Sequence, residues 1–358
     1  DGNGTFSWHA QYAVGDEPRA IALGDFNGDG KADLVVGNYG TDDVSVLLGK
    51  GDGTFRNQAR FAVVIGWWFG PVGISSIAVG DFNEDGKPDV VTANAHRRGI
   101  SILFGHGDGT LQAQGRFGVG DGPKGVALGD LNGDGHLDLV TANHSSDDIS
   151  VVLSNGEGSF QPEQRVAVKF NPMDGPYGVC AVALGDFNRD GKLDLLSAHD
   201  VTPAVSLLSA REDGRFERQR WFRLTDTPCC IALGDFNGDG LLDVVTGNWG
   251  STVSVLLGSE DGGFLTYEPF QIGSRPMSLA VGDFDADGLL DVVTANGGST
   301  VSLLLGKGDG TFQQERRFAV GQSPRSLAVA DFNQDGKLDV ATANYDSCDV
   351  SVLLGNGD

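Results

Sequence analysis

The sequence predicts an all-β fold, a seven-bladed β-propeller whose blades are four-stranded antiparallel sheets. Short runs rich in Val and Leu recur between Gly, Asp and Asn, as in β-strands bounded by turns. The 358 residues include 55 glycines, which suit the many tight turns of such a fold. An acidic loop of pattern DxNxDGxxD recurs at intervals of 48 to 56 residues, and this period indicates a repeat architecture. The seven loops begin at Asp25, Asp81, Asp130, Asp186, Asp235, Asp283 and Asp331.

Each repeat contains four candidate strands in a constant order. In the first repeat, residues 21–23 precede the acidic loop and residues 34–36 follow it. Residues 44–48 form a third apolar run, and residues 55–63 alternate after a GxGDGTF turn. Four strands per repeat predict a propeller blade, and packing the blades against each other buries their apolar faces.

The two ends of the chain predict how the ring closes. The sequence ends in GNGD and begins DGNGTF, which are two halves of the turn found intact elsewhere. The strand after Thr5 should therefore complete the last blade, giving a single domain over residues 1–358. Removal of residues 1–14 should destabilise all of it. No run is long enough to span a membrane and no signal peptide begins the chain, so we expect a mature or excised segment.

The acidic loops carry oxygen ligands at the spacing that a calcium ion requires. Side chains at loop positions 1, 3, 5 and 9 and the backbone carbonyl at position 7 supply the ligands, and Gly at position 6 allows the turn. The loops span residues 25–33, 81–89, 130–138, 186–194, 235–243, 283–291 and 331–339. The predicted ligands are Asp25, Asn27, Asp29, Lys31 and Asp33; Asp81, Asn83, Asp85, Lys87 and Asp89; Asp130, Asn132, Asp134, His136 and Asp138; Asp186, Asn188, Asp190, Lys192 and Asp194; Asp235, Asn237, Asp239, Leu241 and Asp243; Asp283, Asp285, Asp287, Leu289 and Asp291; and Asp331, Asn333, Asp335, Lys337 and Asp339.

The net charge of −24 supports up to seven Ca²⁺ ions as cofactors. Three or four carboxylates within nine residues repel one another unless a cation lies between them. Magnesium is disfavoured because it demands a small octahedron and retains its waters. The loops are not EF-hands, since position 12 is never Glu and strands flank them. A solvated Asp-rich turn is the alternative for any one loop.

The acidic loops, the GxGDGTF turns and the sevenfold period resemble the FG-GAP or VCBS repeat family, which includes the calcium-bearing propellers of integrin alpha subunits. The resemblance covers essentially the whole chain. It implies an extracellular or cell-surface protein, in agreement with the calcium concentrations that such loops usually need. Similar propellers occur in fungal lectins and polysaccharide lyases, so the fold alone leaves adhesion, sugar binding and catalysis open.

The resemblance also implies that ligands bind on the face opposite the calcium loops, where strand four connects to strand one and strand two to strand three. Several cations and aromatic residues fall in these connections, and they suit an acidic glycan or a protein carboxylate. They could equally be solvated or packed residues. Tyr39, Trp249 and Tyr345 could stack on sugar rings or pack at blade edges. The candidate ligand residues are Arg19, Trp67, Trp68, Arg97, Arg98, Lys124, Tyr177, Arg275 and Arg325.

A recognition module is the predicted function, with a lyase-like enzyme or a purely structural spacer as alternatives. No GxSxG or HExxH motif is present, so we expect no enzyme activity, although His96 with Arg97 and Arg98 could imitate a lyase site. The pI near 4.4 argues against nucleic acid, and no amphipathic helix supports membrane insertion. We expect a monomeric domain. Cys180 and Cys229 occupy equivalent positions in adjacent repeats, where they could pair or remain buried thiols.

Overall fold

Seven antiparallel sheets make up the computed structural model of the chain, which describes residues 4–63, 72–168, 177–266 and 269–356. The regular secondary structure of these residues consists of strands. Within them there is no helix that is long and apolar enough to cross a membrane. The strands of the first three blades and the strand before them are β1 (Phe6–Ala13), β2 (Pro18–Gly24), β3 (Asp33–Asn38), β4 (Asp43–Leu47), β5 (Ala59–Ala62), β6 (Ile74–Gly80), β7 (Asp89–Asn94), β8 (Gly99–Gly105), β9 (Leu111–Phe117), β10 (Pro123–Gly129), β11 (Asp138–Asn143), β12 (Asp148–Val152) and β13 (Gln164–Ala167).

The remaining strands continue the same pattern through blades 4 to 7. They are β14 (Val179–Gly185), β15 (Asp194–His199), β16 (Ala204–Ala210), β17 (Phe216–Arg223), β18 (Pro228–Gly234), β19 (Asp243–Asn248), β20 (Thr252–Ser259), β21 (Gly263–Thr266), β22 (Phe270–Gln271), β23 (Pro276–Gly282), β24 (Asp291–Asn296), β25 (Thr300–Leu304), β26 (Arg316–Ala319), β27 (Pro324–Ala330), β28 (Asp339–Asn344) and β29 (Asp349–Gly355).

The first strand closes the ring, as the sequence predicted. Strand β1 pairs antiparallel with β29, so that blade 7 has the strand order β1-β29-β28-β27. Blades 1 to 6 each use consecutive strands, and in blade 5 the short β22 adds a second outer pairing to β20. Phe6 of β1 is buried and packs edge-on against Phe284 of blade 6 and Phe318 next to it. The predicted seven-bladed all-β propeller is confirmed.

The hydrophobic core is divided into seven clusters, each of which joins two neighbouring blades. One cluster joins blade 7 to blade 1 and contains Ala341 and Val350 beside Leu34 and Val36. The second strand of every blade is buried along its whole length, because both of its faces pack against neighbouring blades. This two-sided burial accounts for the continuous Val and Leu runs of those strands.

A polar residue ends the second strand of every blade and links it to the third strand. In six blades it is Asn, whose side-chain amide donates to a Ser hydroxyl on the third strand at 2.8 to 2.9 Å. Blade 4 has His199 instead, with Nε2 3.1 Å from the Ser197 hydroxyl and 3.4 Å from that of Ser206. These buried contacts hold the strand ends from which the face opposite the acidic loops is built.

Candidate functional site

The acidic loops form compact turns between the first and second strands of each blade. In the first loop Asp25 accepts hydrogen bonds from the backbone N–H groups of Asp29 (3.0 Å) and Gly30 (2.8 Å). Asn27 Oδ1 also accepts from Asp29 N–H, and Asp29 Oδ1 accepts from Lys31 N–H. Gly30 has φ +76°, a left-handed conformation that suits Gly. The side-chain oxygens predicted as ligands therefore also fold the loop.

The Asp at loop position 9 connects the acidic loop to the turn between the third and fourth strands. Asp33 is fully buried, and its two oxygens accept from Phe26 N–H at 2.9 Å and Gly49 N–H at 2.7 Å. Burial raises the pKa of Asp33 to about 6, and in the sixth loop that of Asp291 to about 7. A bound divalent cation would oppose this effect by favouring the charged carboxylate.

The sixth loop differs from the others because Asp285 replaces Asn at position 3. Carboxylate oxygens of Asp283, Asp285 and Asp287 lie within 4.8 Å of one another. Asp285 Oδ1 is buried without a hydrogen-bond partner, whereas in the third loop Asn132 donates its amide to Asp134 at 2.8 Å. Three hard oxygen donors around one point fit Ca²⁺. The cluster could hold a metal ion, and the ligand assignments in all seven loops stay predictions.

The face opposite the acidic loops surrounds the mouth of a central channel. The first strand of every blade carries a β-bulge at its second residue, and each bulge turns that side chain toward the mouth. One cavity of about 170 Å³ is lined by all seven of these residues, together with Asp200 and Trp249. We call the seven bulge residues the mouth ring: Arg19, Ser75, Lys124, Cys180, Cys229, Met277 and Arg325.

Three arginines near the mouth are stacked on aromatic rings. The guanidinium carbon of Arg19 lies 4.8 Å from the ring centroid of Tyr39, and that of Arg325 lies 5.0 Å from Tyr345. Arg275 covers Trp249 at 3.6 Å. Throughout the part of the chain that the structure describes, no carboxylate forms an ion pair with these three arginines. The stacks therefore orient three guanidinium groups that lack a direct carboxylate partner, while the Glu17 carboxylate reaches the hydroxyl of Tyr345.

Lys124, a fourth predicted cation, is neutralised within the site. Its Nζ donates to Asp200 Oδ2 at 2.8 Å, while His144 Nε2 lies 2.9 Å from the other oxygen of the same carboxylate. Asp200 thus places one negative charge at the blade 3 and 4 side of the mouth. The unpaired positive charge lies on the side of blades 6, 7 and 1.

Three further predicted ligand residues, Arg97, Arg98 and Tyr177, do not line the mouth cavity. Arg98 forms an exposed ion pair with Asp121, and Arg97 lies beside it in the β7–β8 connection. Tyr177 is only 5% exposed, so the prediction that it offers a surface contact is wrong: its ring packs against Trp221 with centroids 5.5 Å apart. Trp67 and Trp68 lie outside the described residues.

The sequence reasoning missed four residues of the mouth ring, namely Ser75, Cys180, Cys229 and Met277. A weak signal was present, since a Pro precedes the bulge residue in five of the seven repeats. Of the two alternatives left open for Cys180 and Cys229, a disulfide or free thiols, the structure shows free thiols, as for all four cysteines. Cys229 instead has its Sγ 3.9 Å from that of its neighbour Cys230.

A tyrosine and a histidine of neighbouring blades meet beside the mouth. Tyr39 Oη lies 2.6 Å from His96 Nε2, and the two rings pack edge to face. Arg19 lies over the same tyrosine ring. This arrangement brings one base, one phenol and one guanidinium together at an exposed position.

Comparison with known families agrees with the repeat pattern and the blades. The model of the FG-GAP-like repeat matches seven overlapping segments that together cover residues 1–342, namely 1–36, 25–92, 81–141, 130–197, 186–246, 235–294 and 283–342. The chain belongs to the FG-GAP-like repeat family. No curated protein sequence matches it.

Solved structures share the propeller fold with this FG-GAP-like protein at low sequence identity. BBS1N, crystallised in complex with ARL6DN, has a TM-score of 0.67 and 10% identity, with 98% of this chain and 97% of that chain covered. A lectin from Agrocybe aegerita that recognises non-reducing terminal N-acetylglucosamine has a TM-score of 0.61 and 20% identity, over 92% and 86% of the chains. A putative 6-phosphogluconolactonase from Bacteroides fragilis has a TM-score of 0.62 and 16% identity, over 94% and 90%. These similarities show the fold alone.

Proposed function

We propose that this protein is an extracellular, calcium-stabilised recognition module that binds an acidic group of a glycan or protein at the channel mouth. The observation that carries the proposal is the set of three aromatic-stacked arginines without carboxylate partners, Arg19, Arg275 and Arg325. Cations held on rings lose little side-chain entropy when an anion arrives. The FG-GAP-like family and the lectin among the fold neighbours are compatible with ligand binding.

The proposed ligand group is a carboxylate, as in a uronic or sialic acid or a protein side chain. A guanidinium offers two parallel N–H donors that match the two oxygens of a carboxylate. Arg275 and Arg325 both approach Met277 Sδ, at 3.5 and 3.9 Å, so their charges converge. An anion between such groups would relieve their mutual repulsion.

Calcium enters the proposal as a structural cation of the acidic loops. Bound Ca²⁺ would neutralise the clustered carboxylates and fix the turns between the first and second strands. Asp33 and its equivalents tie these turns to the next turn of the same blade. Rigid blades would in turn fix the bulges that position the side chains of the mouth ring.

An array of neutral and acidic glycans, probed in millimolar calcium, tests the proposal. The wild type should bind acidic glycans selectively, and the double variant Arg19→Gln, Arg325→Gln should lose that binding. Arg56→Gln is the matched control, because Arg56 is an exposed arginine outside the mouth ring. Equal binding by the double variant and the control would reject the site. A blank array would leave a carboxylate-bearing protein as the ligand, to be sought by pull-down with the wild type, the double variant and the control.

A second candidate function is the cleavage of an acidic polysaccharide by β-elimination, favoured by the Tyr39–His96 contact. A lyase needs a base to remove the proton next to the carboxylate and a cation to stabilise the resulting charge. His96 or Tyr39 could act as the base, and Arg19 could neutralise the carboxylate.

Turnover distinguishes the two candidates. Incubation with uronate polysaccharides should give no unsaturated ends if the protein only binds its ligand. Ends that accumulate with the wild type and are lost in His96→Ala, while binding persists, would establish the lyase and overturn the pure recognition function.

A further inference from the structure

Sulfur atoms occupy the part of the mouth ring that blades 4, 5 and 6 form, next to the arginines of the proposed anion site. Cys180, Cys229 and Met277 are the bulge residues of blades 4, 5 and 6, and all three line the same cavity. Cys230 follows Cys229 directly in β18. Three consecutive blades thus contribute soft ligand atoms to one side of the mouth.

The bulge in β18 brings two adjacent thiols together. Regular strand residues point to opposite faces, but the register shift between Pro228 and Cys230 disturbs this alternation. Cys229 Sγ and Cys230 Sγ are 3.9 Å apart, and Cys229 Sγ also contacts the carbonyl oxygens of Gly247 (3.2 Å) and Pro276 (3.1 Å). Two thiolates that share a metal at about 2.3 Å, with an angle near 120°, are roughly 4.0 Å apart. The two sulfurs therefore already have the separation of a chelating pair.

The surroundings of the pair favour a soft ion over a hard one. Thiolates and thioethers select Cu(I), whereas Ca²⁺ takes oxygen ligands. A Cu(I) ion with two thiolates carries one net negative charge. Arg275 and Arg325, which converge on Met277, would compensate that charge.

We propose that Cys229 and Cys230 chelate one Cu(I) ion at the channel mouth, with Cys180 of the preceding blade as the third ligand. Two thiol protons leave to solvent as the two chelating Cu–S bonds form, and a third leaves if Cys180 binds as a thiolate; no electron is transferred. Cys180, Cys229 and Cys230 all line one cavity of the channel.

The test is an anaerobic competition titration of Cu(I) between the reduced protein and bathocuproine disulfonate, in millimolar calcium. Wild type should bind one Cu(I) per chain. Cys229→Ser and Cys230→Ser should each weaken binding by more than about 100-fold, since even the partners of metal ligands contribute 10–100-fold. Cys180→Ser should cause a smaller loss.

Cys348→Ser is the matched control, because that thiol lies in the β28–β29 connection of blade 7 with Sγ 3.8 Å from the Tyr345 carbonyl oxygen. It should bind Cu(I) like the wild type. Far-ultraviolet circular dichroism and thermal melts of each variant verify the fold. The proposal is overturned if reduced protein with four titratable thiols does not compete for Cu(I), or if Cys348→Ser weakens binding as much as Cys229→Ser does.

Discussion

His199 makes blade 4 sensitive to acid, and replacing it by Asn should remove part of the pH dependence of stability. His199 is fully buried where the other six blades have Asn, and its Nδ1 has no hydrogen-bond partner. Burial lowers the pKa of His199 to about 3, against an opposing attraction from Asp200. The folded protein therefore holds a neutral imidazole over a pH range in which the unfolded chain, with an ordinary pKa near 6.5, binds a proton.

The sign and size of the effect follow from this difference. Because the folded pKa is lowered, the contribution of His199 to stability is complete above pH 6.5 and is lost as the pH falls from about 6.5 toward 3. Between pH 7.5 and 5.0 the loss amounts to about 2 kcal/mol, at about 1.4 kcal/mol for each pH unit below 6.5. Asn does not titrate, so His199→Asn should lack this component.

Urea unfolding of both proteins at pH 7.5 and 5.0, in saturating calcium, measures the effect. The wild type should lose about 2 kcal/mol more than the variant between the two pH values. Any change in packing caused by the substitution shifts stability equally at both pH values and cancels in this difference. Equal losses in the two proteins would refute the assignment of a neutral buried imidazole.

Three further predictions concern the loops and the ring. Chelation of calcium should lower the melting temperature, because free Ca²⁺ at 100 times the dissociation constant of a site adds about 2.7 kcal/mol to the free energy of unfolding. An unchanged melting temperature would exclude structural calcium. Asp285→Asn should weaken calcium binding in the sixth loop alone, as measured by calorimetry. If the variant unfolded as a whole, the loops would not be independent. Phe6→Ala should lower the free energy of unfolding, measured in urea, by about 3–5 kcal/mol, because the phenyl group of Phe6 fills the contact between blades 6 and 7. A loss below about 1 kcal/mol would mean that β1 does not lock the propeller closed.

The repeats made most of the fold predictable. Seven acidic loops in register and the split turn at the chain ends predicted the blades and the pairing of β1 with β29, since both follow from local sequence. The site was less predictable because its geometry depends on neighbouring blades. Arg19 and Lys124 occupy equivalent positions in the sequence, yet Arg19 stacks on Tyr39 and Lys124 pairs with Asp200 of the next blade.

Bulges and burial explain the other differences between prediction and structure. In the sequence, Cys229 cannot be told from an ordinary strand residue. In the structure, the register shift beside it turns its thiol toward the mouth and toward Cys230. Tyr177 was predicted as a ligand residue on the face opposite the acidic loops. Its ring is instead buried against Trp221 of β17, which is 44 residues later in the chain and cannot be paired with it from local pattern.

A crystal structure grown in millimolar calcium with a uronate oligosaccharide would show whether an acidic ligand binds at the channel mouth. We expect the ligand carboxylate within hydrogen-bond distance of Arg19 or Arg325, over the mouth ring. A ligand bound only elsewhere, for example in the groove between blades 3 and 4 lined by Gln164 and Phe216, would contradict it.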